Sequence, residues 1–276
     1  MNESSEKLYY GNIESDGIKL HYARTSLGLR PVVFLHGMTD NGSIWGQLAA
    51  ALYQKYDIFL PDARGHGLSQ GGDIEYSLTA MTDDAANFIR LLELDRPVVI
   101  GHSMGASVAG NLAAEYPNLV RAIILIDPTW YEAEYLTAEF ARQVISEFEK
   151  AYEEYHQLSG IEMIEYAKRH HPNWSESDIL PWAKSKQQYD RRIIGMIPTL
   201  AENWPQITSR INIPALIMTG DPQKGSIVSQ KVSEELLMKH SNWESIYFED
   251  AGHNIQRDQF EKSRDAIVKY LAEIYS

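Results

Sequence analysis

Seven short runs of β-branched and aliphatic residues, at 19–23, 32–35, 57–60, 98–100, 122–126, 215–218 and 245–248, punctuate this chain. Helical patterns separate them, at about 44–54, 78–92, 105–116, 228–239 and 259–274. Alternation of this kind predicts a mostly parallel sheet covered by helices on both faces, because a strand buried on both sides reads as a continuous apolar run. The alternation fails once: residues 129–206 carry no strand signal and read as several helices marked by Pro172, Pro181, Pro198 and Pro205. More than two fifths of the chain's Trp, Tyr and Phe residues fall in that stretch, which is under a third of its length. Ordinary helical core explains any one of these rings. A helical insertion after a strand's carboxyl end also reads as a lid, since ligands in such sheets bind outside those ends.

The chain has 276 residues, 44% of them hydrophobic, enough to bury one sizeable core with an inserted lobe. Its formal charge of −13 opposes polyanions, so neither nucleic acid nor an anionic membrane surface is an expected partner. There are no cysteines, which removes disulfides, thiolate-bound zinc and a thiol nucleophile. The first residues, "MNESSEKLYYGNIESDGIKLHY", have no basic start and no apolar core, so they do not read as a signal peptide. No apolar run reaches the roughly 18 residues of a membrane helix, and a cytoplasmic protein is the expectation.

The chemistry concentrates in "VVIGHSMGASVAG", residues 98–110. A strand runs into Gly101, His102, Ser103, Met104 and Gly105, and small residues then continue into a helix. A nucleophile in strained backbone geometry needs glycine on either side, because other chain segments pack against that turn. A serine is a weak nucleophile until a base removes its proton. His253, in the glycine-flanked loop "FEDAGHNI", reads as that base, with a structural loop histidine as the alternative. The base needs a carboxylate to fix its tautomer. Asp127, where the buried strand "AIILIDPTW" ends in an acid, is a candidate. Capping a lid helix is the competing role for Asp127.

Four segments in this order, "FLHGMTDNGSIW", "LPDARGHGLS", "GHSMG" and "AGHN", resemble the α/β-hydrolase family over nearly the whole chain. The resemblance implies an eight-stranded, mostly parallel sheet flanked by helices, with a core of residues 1–128 and 207–276 and an all-helical cap at 129–206. It implies a serine hydrolase acting on a small or medium-sized carboxylic ester or lactone through an acyl-enzyme. Amide or carbon–carbon cleavage by the same triad is the alternative, and a non-catalytic ligand receptor a more distant one. No cofactor and no metal are expected, and the chain is read as a monomer or homodimer. The backbone N–H groups of Met38 and Met104 are carried over as oxyanion donors, with their side chains facing the pocket. His36, His66, Asp62 and Arg64 become loop braces, and His102 points away from the serine. The usual family acid follows the seventh strand, two or three residues after the glycine, where this chain's "MTGDPQKGSIVS" has Pro222 and Gln223, so that only Asp221, immediately after Gly220, could serve there as the alternative to Asp127. A minority takes its acid after the sixth strand, including hydrolases of zearalenone and of 2-(acetamidomethylene)succinate, and "DARGHG" resembles that group.

Gly37, Trp45, Trp130, Tyr131 and Trp182 are the expected substrate contacts, with Tyr135, Trp174 and Trp204 as further candidates for an aromatic pocket. Arg191 and Arg192 read as solvated surface charges, the alternative being a grip on a substrate carboxylate. His170 and His171 are adjacent, and neighbours on a helix diverge too far to chelate one ion.

Overall fold

The computed structural model describes residues 8–25, 28–200 and 203–276. The polar stretch 1–7 and residues 201 and 202 of the expected cap lie outside the described residues. Eight strands form one sheet: β1 (Tyr9–Ser15), β2 (Ile18–Arg24), β3 (Arg30–Leu35), β4 (Tyr56–Pro61), β5 (Val98–His102), β6 (Ala122–Ile126), β7 (Ala215–Gly220) and β8 (Trp243–Phe248). Their order is β1-β2-β4-β3-β5-β6-β7-β8. β1 and β2 are antiparallel, β2 meets β4 antiparallel, and the remaining pairs are parallel. β5 therefore lies near the middle of the sheet, with β3 and β6 beside it.

All seven expected strands are present, and β1 is an addition. It is an edge strand with a half-exposed pattern and no apolar run. It turns into β2 through Asp16 and Gly17, both at positive φ (49° and 81°), the backbone that an Asp-Gly hairpin turn requires.

The parallel strands bury both faces. Val33, Val99, Ile123, Leu125 and Ile217 face one core, where α2 (Leu78–Leu91), α3 (Met104–Glu115) and α9 (Gln230–Lys239) pack. Val32, Phe34, Ile100, Ile124 and Met218 face the other, under α1 (Gly46–Leu52) and α11 (Phe260–Ile274), which α10 (Ile255–Asp258) precedes.

Between β6 and β7 every regular element among the described residues is helical: α4 (Ala138–Gln157), α5 (Gly160–His170), α6 (Glu176–Ser185), α7 (Ile197–Leu200), α8 (Trp204–Thr208) and two short 3-10 turns. Thr137, Ser159 and Ser175 start α4, α5 and α6 by accepting an exposed helix N–H on their hydroxyls, and Glu162 returns the bond in α5. Pro172 and Pro205 stand at helix boundaries as expected, whereas Pro181 lies inside α6 at the cost of one backbone hydrogen bond. The boundary drawn at residue 206 falls within α8.

Candidate active site

Ser103 sits on the turn between β5 and α3 with φ 54° and ψ −118°, a conformation that costs a non-glycine residue strain. The turn is tight for a steric reason. A Cβ on Gly101 would fall on the Gly105 carbonyl, and one on Gly105 would fall on the carbonyl of Leu35. Gly37 backs the serine: a Cβ there would lie 3.4 Å from Ser103 Cβ and 2.9 Å from the His102 ring. The Ser103 N–H is anchored to the Ile126 carbonyl at 2.9 Å, which ties the turn to the end of β6.

One residue beyond that carbonyl comes Asp127, fully buried and at φ 44°. Its N–H bonds the Met218 carbonyl of β7 at 2.9 Å, so the chain leaves β6 toward the loop after β7. That loop supplies donors. Oδ1 accepts from Ser226 Oγ at 2.8 Å, Val228 N at 2.9 Å and Ile227 N at 3.1 Å; Oδ2 accepts from Ile227 N at 2.9 Å. Oδ2 also takes His253 Nδ1 at 2.6 Å, a short charge-assisted contact. A carboxylate oxygen can only accept, so Nδ1 carries the proton and Nε2 is left as the basic nitrogen.

Asp221 has other work. Its Oδ1 accepts from Gln223 N at 2.9 Å and caps the turn Pro222–Lys224. The two competing acids are thus separated by geometry: Asp127 meets the imidazole and Asp221 closes its own loop.

His102 points away from the serine and toward the base. Its Nε2 donates to the His253 carbonyl at 2.8 Å, and the two rings lie 4.7 Å apart. Burial holds its pKa well below the ordinary histidine value, so the ring is neutral. His36 and His66 brace loops: His36 spans the Gly37 carbonyl and Ala63 N, and His66 spans the Arg64 carbonyl and Thr39 N. Burial lowers both, His66 to about 3. Asp62 gathers Gly42 N, Leu68 N and His21 Nδ1, and Arg64 grips Asp84 with two nitrogens.

Ser103 and His253 open into a cavity of about 570 Å³ that Met38 also lines. The Met104 side chain, expected to line it, is instead turned into the core at the start of α3. The aromatic expectation needs correcting in the same way. Tyr131 and Tyr135 line the cavity, but Trp45 packs on Phe34 beneath the opposite face of the sheet. Trp130 stacks between Trp204 and Trp243, and Trp174 and Trp182 share a small core of their own with Met163 and Ile179. Large rings were used to fill volume, and the wall comes from α4 instead: Phe140, Val144 and Phe148, four residues apart, with Ala141 beside them. Arg191 and Arg192 lie outside, paired with Glu149, Glu153 and Asp190. Burial first, then the charges of Asp127 and Glu147, push the Tyr131 phenol up to about 12.

Sequence reasoning did not find the buried charges behind Met38. Asp40 takes Lys186 Nζ on Oδ1 at 2.5 Å and Arg257 on Oδ2 at 2.8 Å, all three side chains 5% exposed or less. Burial disfavours the Asp40 anion, but the Arg257 guanidinium and the Lys186 ammonium override it and hold the carboxyl far below its ordinary range. Lys186 also donates to the Thr39 hydroxyl and carbonyl, at 2.9 and 3.3 Å. One carboxylate thereby joins the Met38 loop, the end of α6 and the helix after His253. Removing one member of such a group typically costs about 3–5 kcal/mol, because the partner charge is stranded.

Among the described residues no group of three or more His, Asp or Glu could hold a metal ion, and no helix is long and apolar enough to cross a membrane.

The sheet order, the strained serine turn and the histidine–aspartate pair together define an α/β hydrolase. The chain belongs to the alpha/beta hydrolase family, whose model matches residues 32–266. It is 38% identical over 112 residues to the 2-(acetamidomethylene)succinate hydrolase of Mesorhizobium japonicum, covering 40% of each chain. Similarity to the N-formylmaleamate deformylase of Pseudomonas putida is 34% over 119 residues, 43% of this chain and 44% of that one. The chain thus matches about two fifths of the length of these curated relatives. In solved structures it resembles E-2-(acetamidomethylene)succinate hydrolase, with TM-score 0.82, 22% identity and coverage of 96% of this chain and 100% of that one. A thermophilic esterase from Thermogutta terrifontis gives TM-score 0.76 and 24% identity, covering 97% of this chain and 100% of that one.

Proposed function

We propose that the chain is a serine hydrolase that cleaves a small or medium-sized carboxylic ester or lactone through an acyl-enzyme, beneath a helical cap formed by residues 129–206. The observation that carries this reading is the 2.6 Å contact of His253 Nδ1 with Asp127, which leaves Nε2 free to act as base beside Ser103 in one cavity. In the proposed reaction Nε2 takes the Ser103 proton as Oγ attacks the acyl carbon, and the backbone N–H groups of Met38 and Met104 receive the charge on oxygen. The imidazolium returns its proton to the leaving alcohol. Water then repeats the sequence on the acyl-Ser103 ester and releases the acid.

A second reading, cleavage of an amide-type C–N bond by the same residues, draws support from the two relatives named as a deformylase and an acetamidomethylene hydrolase. Purified protein is expected to hydrolyse p-nitrophenyl butyrate much faster than the matching p-nitroanilide, and Ser103→Ala to lose at least about 10⁴-fold in turnover. Faster release from the anilide would favour the amide reading. Undiminished ester hydrolysis by Ser103→Ala would remove the serine from the mechanism.

A further inference from the structure

We infer that the acyl group accepted by this cavity is uncharged and apolar, a neutral chain or ring of medium size, and that acyl groups carrying a carboxylate are excluded. The inference rests on the cavity being the reaction site proposed above, and it holds whether the bond cleaved is an ester or an amide.

Among the described residues that line the cavity there is no lysine and no arginine. Four basic side chains of the surrounding helices are committed elsewhere. Lys186 and Arg257 are consumed by Asp40, Arg191 is held on the outer face by Glu149 and Glu153, and Arg192 turns back to Asp190. The polar lining is uncharged apart from His253, with Asn203 and the Tyr131 and Tyr135 phenols as neutral groups, and its two threonines are committed. The Thr129 hydroxyl donates to the Leu200 carbonyl and contacts Ser107 Oγ, and the Thr137 hydroxyl caps α4.

The charges that do reach this region are negative. Asp127 is buried at the inner end of the site, and Glu147 stands on α4 within electrostatic reach of Tyr131, whose phenol the two acids help to keep protonated. A second carboxylate, brought in by a substrate, would be desolvated beside the buried Asp127, with no lysine or arginine among the described lining residues to meet it.

What the wall offers instead is hydrocarbon. Phe140, Val144 and Phe148 form a stripe on α4 about 12 Å long at the helical rise per residue. Ile197, Leu200 and Ile227 belong to the same lining. Such a surface is matched by methylene groups or by a ring, each of which gains by leaving water.

The test compares p-nitrophenyl pentanoate with the mono-p-nitrophenyl ester of glutaric acid, which replaces the terminal methyl by a carboxylate. The neutral ester is expected to have a kcat/KM at least about 100-fold higher. Val144→Lys should narrow that ratio by tenfold or more by supplying a cation. Equal rates, or preference for the glutarate ester in the wild-type protein, overturn the inference. A binding experiment separates it from the ester reading. Folded Ser103→Ala is titrated calorimetrically with octanamide and with suberamate, its analogue bearing a terminal carboxylate. Tighter binding of octanamide by tenfold or more supports the inference even where no ester is turned over, and that result would discard only the ester reading. Preference for suberamate, or binding of neither compound, overturns it.

Discussion

Asparagine in place of Asp127 lowers turnover of p-nitrophenyl butyrate by about 10⁴-fold, the size of effect seen when the orienting acid of a serine triad becomes an amide. The geometry dictates why. Three donors converge on Oδ1, from Ser226, Ile227 and Val228, so the amide oxygen must occupy that position. The amide NH₂ is then forced into the place of Oδ2, facing His253 Nδ1. A donor there selects the wrong tautomer: Nδ1 becomes the acceptor, Nε2 carries the hydrogen, and the imidazole cannot take a proton from Ser103. Asp221→Asn is the control, since Asp221 only caps the turn that follows it, and it should retain near-full activity. The measurement is steady-state hydrolysis normalised to folded protein by circular dichroism. A fall at Asp221 and none at Asp127 would reverse the assignment of the acid.

Stability should collapse on mild acidification. His36, His66 and His102 are buried and neutral, and burial holds the pKa of each below its ordinary value. Above an unfolded value of about 6.5 neither state binds the proton, so these groups do not affect the balance there. As pH falls below that value the unfolded chain takes up protons that the folded one refuses, and folding is opposed by about 1.4 kcal/mol per pH unit for each such group. His66 and His102, the two held furthest down, together give a slope of about 3 kcal/mol per pH unit, to which His36 adds in the same direction, against a total stability of roughly 5–15 kcal/mol. The slope eases for His66 only near pH 3, where its folded form begins to accept the proton. By then the unfolded chain also begins to protonate Asp40 and Asp62, whose carboxyls stay ionised in the fold because they are held below the ordinary range, and the stability those two contribute starts to be lost as well. Urea titrations at pH 7, 6 and 5 should show a steep loss of unfolding free energy between the last two. A stability that stays flat down to pH 5 would mean that these imidazoles find protons, or water, inside the fold.

How far the chain discloses this arrangement depends on the range over which each feature is encoded. Seven strands were legible because burial on both faces makes each a continuous apolar word. β1 was not, because an edge strand such as "YYGNIES" needs no such run; the Asp16-Gly17 pair was its readable trace. Gly101, Ser103 and Gly105 were legible because close backbone approach admits only glycine at two of the three positions. An acid ending a buried strand marked Asp127 as a candidate, yet the choice over Asp221 turned on which loop supplies donors and which supplies an acceptor, a three-dimensional matter. The tryptophans misled because bulk signals burial without saying whether a cavity lies alongside. The better guide to the wall was the spacing of Phe140, Val144 and Phe148. Nothing local in the sequence could join Asp40 to Lys186 and Arg257, which lie 146 and 217 positions away.

That joint has a mechanical meaning. The α5–α6 half of the helical segment is riveted: Lys186 enters the ion group, Trp174 Nε1 bonds Asp258 at 2.8 Å, and Gln47 of α1 bonds Ser175 at 2.7 Å. Pulling it away would strand buried charges in oil. The α4 half grips by apolar contact and by exposed ion pairs, and Tyr135 and Leu136 at its leading edge are 47% and 45% exposed. Traffic of substrate and product is therefore expected beneath α4, a leaf swinging on a fixed frame, and amide exchange should run faster along α4 than along α6.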